Sequence, residues 1–149
     1  MQQTSLSDIE YANRRKQTRK DLFLDQMDRL VPWDRWFKRI RPFYPDGKRG
    51  RPPKDLELML RMYLLQEWFR MSAEGTEDAV YDSYAMRKFL HLDFMSEQVP
   101  SATTLLKFRH MMSRQGLDEA FKKELTDILK DAGISLRRGR TENPSIRQV

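Results

Sequence analysis

Thr103, Lys107, His110 and Arg114 recur at spacings of four, three and four residues, the interval at which side chains line up along one face of an α-helix. Leu105, Phe108 and Met112 fall on the opposite face of the same stretch. A helix over 101–114 therefore carries cations and short hydrogen-bonding groups on its outer side, with Thr104 beside them, and no acid. A helix lying in the DNA major groove needs such a face: cations for phosphate oxygens, and Thr, Lys or Arg for base edges. A plain solvated helix face has the same pattern, and spacing by itself leaves both readings open. Arg109 lies nearer the apolar side. It is expected to pack internally or to pair with an acid on a neighbouring helix, and not to touch DNA.

A second concentration of charge is the run Lys48-Arg49-Gly50-Arg51-Pro52-Pro53-Lys54. A Gly-Arg-Pro core flanked by cations is narrow and extended, suited to phosphate contact or to insertion into an A·T-rich minor groove. It also reads as a proline-punctuated connection that introduces the next helix. Arg49, Arg51 and Lys54 are the candidate contacts here. Arg14, Arg15, Lys16, Arg19 and Lys20 form a third cluster, either a phosphate-contacting arm or a solvated helix end. The net charge of +6 over 149 residues favours a polyanionic partner without specifying it.

Catalytic chemistry finds little purchase. The chain has no cysteine, which excludes disulfides and thiolate metal sites. His91 and His110 are isolated and lack metal-ligand spacing. Glu74, Glu77 and Asp78 read as helix-start acids favoured by the macrodipole. There is no glycine-rich phosphate loop and no nucleophile elbow. No catalytic residue, metal or cofactor is expected, and the reading is non-enzymatic. The N-terminus has no apolar signal core and no run approaches membrane-spanning length, so no membrane partner is expected and the cytoplasm is the expected compartment.

The elements that must carry these groups are helical. Apolar periodicity predicts helices over 21–30, 33–40, 55–70, 76–90, 101–114 and 117–132. The 55–70 segment is apolar nearly all round, which marks it as the buried spine. Asp55, Thr76 and Ser101 are the expected N-caps, and Gly133 the residue after the last helix. The fold class is therefore all-α: a compact bundle of about six or seven helices with basic tails. A basic arm over 1–20 precedes a helical DNA-binding domain over 21–133, and a basic tail over 134–149 shows no core pattern. Strand signals are almost absent. The pair 76–90 and 101–114 is helix-turn-helix-like, though its ten-residue connection is longer than the usual three or four.

Three segments, DIEYANRRKQTRKDLFLDQMDRLVPW, GRPPKDLELMLRMYLLQEWFRMS and VPSATTLLKFRHMMSRQGLDEAF, resemble in content and order the N-terminal region of the IS-five (insertion sequence five) family of bacterial transposases. The resemblance covers about residues 5–138. It implies binding to double-stranded DNA at terminal inverted repeats, in a nucleoid-associated cytoplasmic setting. In that family the helical region is joined to an RNase H-like domain whose Asp-Asp-Glu triad binds Mg²⁺. A basic segment like Ile134–Gly139 there leads into the strand bearing the first catalytic Asp. Here the sequence reads Arg140-Thr141-Glu142-Asn143-Pro144-Ser145-Ile146-Arg147-Gln148-Val149. The resemblance thus carries the expectation of a chain truncated before the catalytic domain. Two alternatives accompany it: a regulatory fragment that associates with itself or with full-length transposase and inhibits it, and a non-functional product or interaction bundle.

Overall fold

The first helix begins where Thr18 and Asp21 satisfy each other. The computed structural model describes residues 16–45, 54–92, 98–137 and 140–142. Thr18 Oγ1 accepts the Asp21 amide at 3.2 Å, and the Asp21 carboxylate accepts the Thr18 amide at 3.2 Å. This reciprocal capping box starts α1 (Arg19–Leu30) two residues earlier than the apolar pattern suggests. Phe23, Leu24 and Met27 form its buried stripe. Pro32 separates it from α2 (Trp33–Ile40), which buries Trp36 and Ile40 and leaves Trp33 and Phe37 half-buried. A single 3₁₀ turn, Arg41–Phe43, follows.

The spine is α3 (Leu56–Phe69), with eight buried apolar side chains from Leu56 to Trp68. Asp55 occupies its N-cap position but makes no capping bond through its side chain. The helix ends at Arg70, which takes a left-handed conformation at φ 51°. The Met71 amide reaches back to the Gln66 carbonyl at 3.2 Å, and Gln66 Nε2 donates to the Met71 carbonyl at 3.1 Å.

The single helix expected over 76–90 is two: α4 (Ala73–Asp82) and α5 (Tyr84–Phe89). Ser83 between them is extended, and its Oγ accepts the Met86 amide at 3.2 Å. A serine hydroxyl that bonds locally to backbone competes with helix continuation. Thr76 is not the cap. Ser72 is, accepting the Gly75 amide at 2.9 Å, while Thr76 is buried and donates its hydroxyl to the Ser72 carbonyl at 2.8 Å. Tyr81 of α4 is exposed.

Ser101 opens α6 (Ala102–Arg114) as expected, and Gly116, at φ 68°, turns the chain into α7 (Leu117–Asp131). At the end of α7, Gly133 adopts φ 72°. Its amide bonds to the Lys130 carbonyl at 3.0 Å, and the Ile134 amide bonds to Leu129 at 2.8 Å. These two bonds make a Schellman motif, with half-buried Ile134 supplying the usual apolar contact. The segment read as a featureless tail then forms a short antiparallel hairpin, β1 (Ser135–Arg137) with β2 (Arg140–Glu142), registered Ser135 to Glu142. Strands of three residues are too short to show an alternating pattern. The hairpin lies against α7 and α1. The described residues thus make an all-α bundle of seven helices with one small hairpin, matching the expected class.

Within the apolar pattern of α3 a charge is buried. Arg61 is only 4% exposed. Its guanidinium pairs with Asp28 of α1 at 2.9 Å and Glu57 of α3 at 3.1 Å, and donates to the Phe89 carbonyl of α5 at 3.0 Å. It lies over the rings of Trp33 and Phe89, 4.1 and 4.9 Å from their centroids. Within a largely aliphatic core, several rings also pack on one another. Trp36 stacks on Phe121 at 4.3 Å, and Trp68 meets Phe23 and Phe89 edge-on at 5.7 Å each.

Outside that stack, Glu124 of α7 accepts from the Trp36 indole at 2.9 Å and from Arg35. Burial pushes the Glu124 carboxyl up, but these two hydrogen bonds, with the charges of Arg35 and Arg39, outweigh it and hold it below the usual carboxylate range.

Two outcomes are expected. Arg61→Ala orphans the Phe89 carbonyl and strips a paired stem from the core, lowering stability by about 3 kcal/mol in urea titration; Arg61→Lys restores only part, because an ammonium lacks the planar fork. Because the folded-state pKa of Glu124 is depressed, its contribution to stability is present above the unfolded carboxylate value and is lost as pH falls through the folded one. Urea midpoints measured from pH 7 to pH 3 should therefore fall less steeply in Glu124→Gln than in the parent.

Candidate nucleic-acid interface

The helix that carries the polar stripe is fixed at its start by two acceptors. Ser101 Oγ accepts the Thr104 amide at 3.2 Å, and Glu77 Oε1 reaches across from α4 to accept the Ala102 amide at 2.7 Å. Glu77 therefore does more than complement the dipole of its own helix: it caps the neighbouring one. With a carboxylate on its first amide, the N-terminus of α6 already holds a negative charge, which disfavours an anion there.

That side divides cleanly. Leu105, Phe108, Met111 and Met112 are buried against α3, α4 and α7. Arg109 turns inward as expected, pairing with Glu67 of α3 and lying over the Tyr63 ring at 5.1 Å. Burial, with the adjacent Glu67 carboxylate, raises the Tyr63 hydroxyl well above its ordinary value, and Arg109 offsets part of this. Thr103, Leu106, Lys107, His110, Ser113 and Arg114 are exposed, and none of them is an acid. Lys107 and Arg114 make no ion pair among the described residues.

Beside this face runs a groove of about 630 Å³ between α6, the Phe43–Pro45 segment and Lys54. Lys54, Thr104, Lys107 and Arg114 line it together, over an apolar floor that includes Met59, Phe108 and Met111, and among the described residues no acid contributes to its wall. Its far wall is set by Tyr44. The hydroxyl donates to the Lys54 carbonyl, and the ring stands edge-on to Phe108 at 6.1 Å. Burial, and then the nearby Asp55 charge, push the Tyr44 phenol up to about 12, so it remains a donor at neutral pH.

Of the sequence candidates, Lys54, Thr104, Lys107 and Arg114 meet at the groove. Thr103 and His110 sit on the outer face of α6 and do not line it. Thr104 is also engaged, its Oγ1 lying 3.0 Å from Ser101 Oγ. Arg49 and Arg51, like Arg14 and Arg15, lie outside the described residues; Pro45 and Lys54, which flank the 46–53 segment, both border the groove. Phe43 and Tyr44, which also line the groove, are not among the sequence candidates. Two aromatic rings inside a basic, proline-rich stretch were the available signal. It gave no hint of Gln98 and Val99, which reach the groove only through the fold.

Among the described residues no group of three His, Asp or Glu side chains is placed to hold a metal ion. Among the described residues no helix is long and apolar enough to cross a membrane. Removing the cross-helix cap with Glu77→Ala should cost about 1 kcal/mol in thermal or urea unfolding. Hydrogen exchange should show that loss as faster exchange at the start of α6, with α3 unaffected.

A family model described as a transposase domain (DUF772) matches residues 12–111. No solved structure matches the chain.

Proposed function

Because the chain belongs to the transposase-domain family DUF772, we propose that this helical bundle serves DNA transposition by binding double-stranded DNA, with α6 as its reading helix. The supporting observation is the outer face of α6: six exposed positions with no acid, two cations without ion-pair partners among the described residues, and a third cation, Lys54, across the adjoining groove. In this reading α6 lies along the major groove. Lys107 and Arg114 meet phosphates or guanine edges, and Thr103 and His110 reach the remaining base edges. Lys54, with Arg49 and Arg51 of the adjoining basic segment, follows the backbone. Glu77 repels phosphate from the helix start and so favours a side-on approach.

The target is proposed to be the terminal inverted repeats of the mobile element, on the resemblance of three ordered segments to the IS-five transposases. The pair formed by α4 and α6 plays the part of a helix-turn-helix, with α5 and residues 90–101 inserted between its two helices. The inserted stretch lengthens the connection, while the Glu77 cap keeps the two helices in fixed register.

Fluorescence anisotropy across a salt series tests this reading. The chain is titrated into a duplex carrying the inverted repeat and into a scrambled duplex of equal composition. Tighter binding to the repeat, weakening linearly in log salt, is expected. Lys107→Ala should lower the salt slope by about one unit if it meets a phosphate, or lose about 1–3 kcal/mol on the repeat alone if it reads a base. Equal binding to both duplexes would remove the sequence-specific reading, and no binding at low salt would remove DNA binding altogether.

A further inference from the structure

The groove beside α6 has a shape and chemistry that an intact duplex does not use. A duplex is convex and presents phosphates and sugars on its outside. It can neutralise Lys54, Lys107 and Arg114 on the rim, but it leaves the apolar floor facing water. The groove volume of about 630 Å³ falls within the roughly 300–1,000 Å³ typical of pockets that enclose a small ligand. On the wall opposite α6, Phe43 is 46% exposed. It is carried on the 3₁₀ turn that ends at the Tyr44 to Lys54 bond. Gln98, also exposed at the rim, offers an amide that donates and accepts.

We propose that this groove receives a single nucleotide unstacked from the bound DNA: its base stacks on Phe43 and meets the Gln98 amide, and its phosphate lies between Lys107 and Arg114. The proposal rests on the DNA-binding reading above and deepens it. Aromatic stacking with flanking cations is how proteins hold bases that have left the helix, and it tolerates any base because every base has a π-face. The cost of extruding a base is a few kcal/mol, least at a mismatched or unpaired position. An apolar acidic peptide would satisfy the same charges. The nucleotide is favoured because Lys107 and Arg114 belong both to the groove and to the exposed face of α6, so a strand held on that face is already at the rim.

The test uses the full chain and a repeat-bearing duplex in which 2-aminopurine replaces each adenine of either strand in turn. Anisotropy and 2-aminopurine emission are read from the same sample. Binding accompanied by a several-fold rise in emission at one position or its immediate neighbours is expected. Phe43→Ala, at a half-exposed site where folding should be retained, is expected to abolish the rise and weaken binding by about fivefold or more. Circular dichroism confirms that the variant is folded. Binding with no rise at any position would overturn the proposal and leave duplex recognition intact. So would a rise that persists in folded Phe43→Ala. Absence of binding in the anisotropy channel would instead overturn the DNA-binding reading on which the proposal stands.

Discussion

A guanidinium cannot shed its proton to enter an apolar interior, so Arg61 brings its full charge into the core and every helix around it must answer that charge. Asp28 answers from α1, Glu57 from one turn earlier on α3, and the Phe89 carbonyl from the end of α5. Trp33 of α2 and Phe89 present ring faces to the same group. The Trp33 indole also donates to the Asp28 carbonyl at 2.9 Å, which closes the circle between α1 and α2. Apolar packing alone tolerates sliding of one helix on another. A planar fork with directional donors does not, and it sets the register of four helices at one point.

The second organising device is ring stacking on the α7 side. Trp36 and Phe121 lie parallel, and Glu124 clamps the same tryptophan through its indole nitrogen. Between these two anchors α3 is enclosed, and α6 is laid across it with its apolar side inward. The cations of α6 are then sorted by geometry. Arg109 faces Glu67 and Tyr63 and becomes part of the scaffold. Lys107 and Arg114 face solvent with no acid to neutralise them among the described residues. The cations that internal ion pairs leave over on α6 share one groove with Lys54.

Much of the arrangement was legible beforehand. Six apolar-periodic segments predicted the helices, because burial of one face at helical spacing is the dominant local signal. Ser101 and Gly133 worked as cap and stop because their chemistry acts within a few residues of chain. The partner class for Arg109 followed from its place on the helical wheel. The failures were also physical. Ser72 and Thr76 are both competent caps, and only one can occupy the helix start. Ser83 breaks a helix that its neighbours would continue. The hairpin strands are too short to carry a period of two.

The sequence alone determined that the chain is helical, that its central helix is buried, and that one later helix bears an acid-free cationic face. These properties depend on side-chain type and on spacings of three and four residues, which a linear reading resolves. Only the tertiary structure decided that Arg61 is buried as a charge in the core, that Glu77 caps a helix 25 residues away, and that Phe43, Lys54, Gln98 and Lys107 surround one groove. Each of these depends on which long-range neighbour a side chain meets. That choice is made by the packing of the whole bundle and leaves no periodic trace in the chain.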